Sequence, residues 1–81
     1  MQVKMSYFIS LDRDKIILSK AESVCSAYLL HESPESRQTI KAITDINLIK
    51  VCTILLNTTN VVIMNKNEFY QLNREGIKWI N

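Results

Sequence analysis

Residues 3–11 read VKMSYFISL, and no other segment constrains the chain as much. Val3, Met5, Tyr7, Ile9 and Leu11 fall on one side and Lys4, Ser6, Phe8 and Ser10 on the other, the period-two pattern of a half-buried strand. A lone strand leaves its N–H and C=O groups without partners, so the fold must supply a sheet, or a second copy of the strand, to receive it. LDRD at 11–14 reads as a turn, and KIIL at 15–18 either returns as a second strand or runs into the helix behind it. Pairing within the chain is the expectation for the leading strand, with any dimer contact made elsewhere.

Helix signals follow. Ser19 with Glu22 three residues on has the form of a capping box, in which hydroxyl and carboxylate each take one orphan N–H of a helix start. Ala21, Val24, Cys25, Tyr28 and Leu29 then recur at helical spacing, and HESP at 31–34 ends the element. Ser33 before Pro34 starts a second helix, expected to run to about Thr44 with Ile40 and Ile43 inward. Asp45 and Asn47 are both caps for a third helix, LIKVCTILLN at 48–57. Two short helices so closely joined suggest a helix-turn-helix unit.

The polar tetrad NTTN at 57–60 stops the third helix. VVIM at 61–64 reads as a strand, NKNE as a turn and FYQL at 69–72 as a returning strand. NREGIKWI at 73–80 begins at the cap Asn73 and can form two helical turns despite Gly76, with Ile77, Trp79 and Ile80 packing back. The expectation is an α+β fold occupying residues 1–81 as a single domain.

With 47% hydrophobic and 22% charged residues among 81, the chain has the composition of a small globular domain that buries a modest share of its surface. No apolar run approaches the roughly 20 residues needed to cross a bilayer, and the alternating N-terminus is unlike a signal-peptide core, which points to an intracellular, cytoplasmic protein with no membrane partner. Cys25 and Cys52 lie in apolar stretches and are expected as buried free thiols rather than as a disulfide frame. His31 is the only histidine, too few for a Cys/His zinc site. A Gly-rich phosphate loop, a paired-carboxylate pocket and a Ser/His/Asp set are all missing from the sequence, so neither an enzyme nor a cofactor is expected. The net charge of +2 is unevenly placed, with −1 over residues 1–36 and +3 over residues 37–81. That asymmetry permits a nucleic-acid face.

Helix geometry sharpens this. At 100° per residue, Asn47, Lys50, Thr53 and Asn57 share about one third of the wheel of the third helix, with Ile54 among them, while Leu48, Ile49, Val51, Cys52, Leu55 and Leu56 cover the rest. Amides, hydroxyls and ammonium groups are the types that pair with base edges and phosphates. Arg37 and Lys41, one turn apart on the expected second helix, suit a backbone grip. Lys66, flanked by Asn65 and Asn67, suits a phosphate or minor-groove contact. Each of these positions also has an ordinary reading as solvated surface or turn chemistry.

The order strand, helix, helix, turn, helix, hairpin, short helix resembles the winged helix-turn-helix family over residues 19–80. Ile40 and Ile43 match its second helix, Ile46 its turn, Leu56 to Val62 its helix exit, and Tyr70, Leu72, Asn73, Gly76, Trp79 and Ile80 its C-terminal tail. Asn60 stands where glycine is usual, and Leu56 closes the third helix about one turn early. The leading strand before a capped helix also resembles, less closely, the N-terminal domain of T4-type phage middle-promoter activators. The resemblance implies three helices with a C-terminal β-hairpin wing, an N-terminal strand and a short C-terminal helix, in a small phage, bacterial or archaeal transcription regulator. Its partner would be double-stranded DNA, contacted as a homodimer through Arg37, Lys41, Asn47, Lys50, Thr53, Asn57 and Lys66. The alternative is a module on the same frame, phage- or plasmid-encoded, that binds a protein of the host transcription machinery.

Overall fold

A computed structural model describes residues 4–72. The elements are β1 (Ser6–Asp12), β2 (Lys15–Ala21), α1 (Val24–Leu30), α2 (Pro34–Gln38), β3 (Lys41–Ala42), α3 (Ile46–Leu55) and β4 (Val61–Asn65), followed by a helix over residues 66–72, here α4. The class is α+β, with a four-stranded antiparallel sheet in the order β3-β1-β2-β4. Among the described residues no helix is long and apolar enough to cross a membrane.

The leading strand finds its partners within the chain. β1 pairs with β2 from Ser6↔Ala21 to Asp12↔Lys15, so KIIL returns as a strand around the two-residue turn Arg13–Asp14. A hairpin loop this short needs positive φ, and Arg13 supplies it at φ 60. β3 takes the other edge of β1, with Phe8↔Ala42 and Ile9↔Lys41.

Both faces of the sheet are covered. Phe8, Ser10, Ile17, Ser19 and Ala21 share one face by register, and there Phe8, Ala21 and Ala27 of α1 form a buried cluster with Leu30 and Ile40 against it. Tyr7, Ile9, Ile16, Leu18, Val62 and Met64 share the other. On that side Leu18 and Leu56 are wholly buried with Ile16, Cys52, Met64 and Phe69, which places α3 and α4 over it. β1 is therefore not half-buried as its alternation suggests. Phe8, on the side expected to meet solvent, is 4% exposed.

Several local expectations are corrected. Ser19 caps nothing: β2 is held between β1 and β4 as far as Ser19 and stays paired to β1 up to Ala21. The N-cap of α1 is Ser23, whose hydroxyl accepts from the Ser26 N–H. With the start moved, Ala27 rather than the expected stripe turns inward, and Val24, Cys25, Tyr28 and Leu29 are exposed.

The second helix starts at Ser33 and Pro34 as its signals predict but ends at Gln38, not near Thr44. The sheet captures the rest: Thr39 Oγ1 accepts from the Leu11 N–H and donates to the Leu11 carbonyl, both at 2.8 Å, and the Ile43 N–H donates to the Tyr7 carbonyl. β3 thus lies between α2 and α3, and the tight helix-turn-helix connection is not formed. α3 itself starts where Asp45 predicts, its carboxylate accepting from the N–H groups of Asn47 and Leu48.

The returning strand of the expected wing is also not formed. Asn65 Oδ1 accepts from the Glu68 N–H, the chain turns into α4, and β4 pairs with β2 in the main sheet. Asn73, Gly76, Trp79 and Ile80 of the expected C-terminal helix lie outside the described residues.

Cys52 is buried and Cys25, on α1, is exposed, which corrects the expectation for Cys25. Burial pushes the Cys52 thiol up to about 11, and the thiolate is the reactive form. A thiol reagent at pH 8 is therefore expected to label Cys25 at once and Cys52 only on unfolding. Equal labelling rates would contradict this packing of α3 on the sheet.

Candidate nucleic-acid interface

The Asp45 cap sets the phase of α3, and with it which residues meet solvent. Val51 and Cys52 turn to the sheet, while Ile46, Asn47, Lys50, Thr53, Ile54 and Asn57 are exposed. The polar arc read from the sequence is thus an outward face, with one qualification. Thr53 Oγ1 donates to the Ile49 carbonyl at 2.8 Å and accepts from Tyr7 Oη at 3.3 Å. It ties α3 to β1, so its hydroxyl is already committed. At the other end Lys20 Nζ donates to the Leu56 carbonyl at 2.6 Å, a cation placed where the helix leaves its last carbonyls unpaired.

Lys41 and Lys66 are brought together by the sheet. Lys41 pairs with Ile9 and so lies on the α3 side of the sheet. Lys66 continues the parity of Val62 and Met64, and its N–H donates to the Asp14 carbonyl at 2.9 Å, which anchors the start of α4 beside the hairpin turn. The two lysines line one cleft of about 430 Å³ with Gln38, Thr39 and Tyr70, over the apolar side chains of Ile9, Leu11 and Ile16. Tyr70 stands one turn beyond Lys66 on α4. The residue is 52% exposed, and its ring sits at 62° to that of buried Phe69, with centroids 5.8 Å apart.

Arg37 does not join them. Its Nε donates to the His31 carbonyl at 2.5 Å, and its guanidinium lies 5.0 Å from the centre of the Tyr28 ring, a cation–π contact on the α1 side of the sheet. The expected pairing of Arg37 with Lys41 on one helix is overturned, because α2 ends between them.

A buried polar bridge was not anticipated from the sequence. His31 is 1% exposed, with Nδ1 2.8 Å from Ser10 Oγ and Nε2 2.9 Å from Ser19 Oγ. A neutral imidazole satisfies this arrangement, donating through one nitrogen and accepting through the other. Burial first, and then the charge of Arg37, hold its pKa below the usual 6.5. Both hydroxyls are buried in the sheet, out of reach of a substrate, and the bridge joins α1 to two strands. No local signal marked it, since Ser10 lies on the side of β1 that its alternation assigns to solvent and Ser19 read as a helix cap.

Comparison with known proteins gives no matching family model, no matching curated protein and no matching solved structure. Fold and site together define an α+β domain whose four-stranded sheet carries, on the α3 side, an exposed polar helix face and a lysine-lined cleft.

Proposed function

We propose that this chain is a small DNA-binding regulator that presents the outer face of α3 and the Lys41–Lys66 cleft to duplex DNA. The observation that carries this reading is the convergence of Lys41 and Lys66, distant in sequence, on the same side of the sheet as Lys50. Lys41, Lys50 and Lys66 contact phosphates, which position the protein, while Asn47 and Asn57 offer amides to base edges. Arg37 drops out of the contact set because it lies on the α1 side of the sheet against Tyr28, and Thr53 because its hydroxyl already bonds Ile49 and Tyr7. On this reading α4 and the cleft take the place of the expected wing as the basic element beside the exposed helix. The proposed setting is the cytoplasm, and a homodimer would place two such faces on two half-sites.

Salt dependence is the test. Neutralising about three phosphates per protomer gives a log–log slope of affinity against salt near −3. Replacing Lys41 and Lys66 together by Ala is expected to weaken binding to all sequences alike and to reduce that slope by about 2. Asn47→Ala is expected instead to change which sequence is preferred. Affinity independent of salt would refute the reading.

A protein partner is favoured by a different feature, the outer edge of β4. The bonds from the Lys20 N–H to the Asn60 carbonyl and from the Lys66 N–H to the Asp14 carbonyl set the antiparallel parity. By that parity Val61, Ile63 and Asn65 point their backbone groups away from β2. Thr59 Oγ1 covers Val61 by donating to its carbonyl, which among the described residues leaves the edge open at Ile63, a residue 60% exposed. Strand addition by a partner of the transcription machinery would use this edge.

A further inference from the structure

We infer that the cleft between β3 and α4 holds one unpaired nucleotide, so that the nucleic acid recognised contains single-stranded character; this rests on the nucleic-acid reading above. The chemistry of the cleft is mixed in the way a nucleotide is mixed. Lys41 and Lys66 supply two ammonium groups at the rim, and neither is ion-paired in the structure described, so both are free to meet a phosphodiester. Tyr70, an exposed residue, supplies an aromatic ring set against Phe69 rather than loose in solvent. Gln38 supplies an exposed carboxamide, donor and acceptor in one group, which suits the edge of a base. The volume of about 430 Å³ lies within the usual range for small-molecule sites.

A fully paired duplex makes poor use of this set. Its bases are stacked on one another and offer no face to Tyr70, so only the two lysines would be engaged. An unpaired nucleotide uses all four, with the base stacked on the ring over Ile9 and Ile16 and its phosphates at the lysines. Stacking on an aromatic side chain is tolerant of base identity, whereas the Gln38 amide distinguishes one edge from another.

The full chain is titrated with a fluorescein-labelled dT 12-mer, with a 12-base-pair duplex and with AMP, and the Tyr70→Ala and Tyr70→Phe variants are compared after their melts are matched to the parent. The ratio of single-strand to duplex affinity is expected to fall about tenfold in Tyr70→Ala and to recover in Tyr70→Phe, which keeps the ring. An unchanged ratio in Tyr70→Ala overturns the inference while leaving duplex binding, and the reading beneath it, intact. Loss of all salt-dependent binding by the parent protein overturns both. Saturation by AMP with no affinity for the 12-mer overturns the strand as the source of the nucleotide.

Discussion

His31→Ala is expected to remove about half of the stability of this domain. The substitution deletes a buried imidazole, leaves a void beneath α1, and strips Ser10 and Ser19 of their shared partner. Each orphaned buried hydroxyl costs about 1–3 kcal/mol and the void adds to that, so a loss of about 3–5 kcal/mol is expected. A domain of this length has on the order of 5–10 kcal/mol in all. Urea denaturation followed by far-ultraviolet circular dichroism checks it; a midpoint within the error of the parent would show that the bridge is not structural.

The same residue gives a pH dependence whose sign is determined. The folded pKa of His31 lies below 6.5, so near and below 6.5 the unfolded chain binds the proton that the folded chain refuses. Stability contributed by this group is full above pH 6.5 and declines as pH falls from 6.5 towards the lowered folded value, at up to about 1.4 kcal/mol per pH unit. Arg37 opposes protonation from the His31 carbonyl side, and Asp12, Lys15 and Glu32 line the depression that His31 borders. Melts of the parent and of His31→Gln between pH 8 and 5 should differ by this slope, the variant lacking it. Parallel pH profiles would refute the assignment.

Deletion of residues 1–10 is expected to abolish folding altogether. β1 is bonded on one edge to β2 along its whole length and on the other to β3, and it carries Tyr7 and Ile9 into one core cluster and Phe8 into the other. Its loss would expose both sheet faces and leave β3 without a partner. Proton NMR of the truncated chain should show a collapsed amide range. A folded, dispersed spectrum with only a change of oligomeric state would instead make β1 an intermolecular element.

The signals legible in the sequence are those that act over a few residues. The strand over residues 6–11, the Ser33–Pro34 start, the Asp45 cap and the phase of α3 appear where they were read, because capping bonds and strand periodicity are satisfied by near neighbours, whereas the solvent side assigned to Phe8 and Ser10 is buried. The α+β class follows from them. Only the tertiary structure decided the use of segments able to satisfy their backbone in two ways. Ser19 could cap a helix or sit in a strand, and the open edge of β1 drew β2 through it. Residues 39–43 could extend α2, but the Leu11 and Tyr7 backbone offered them sheet bonds. FYQL at 69–72 has the composition of a strand, yet β2 has only two edges, β1 and β4 already occupy them, and the Asn65 cap turns the chain into α4. The same cause brought Lys41 and Lys66 into one cleft and separated Arg37 from them: register along a sheet places side chains by strand pairing, and strand pairing is settled between segments far apart in the chain.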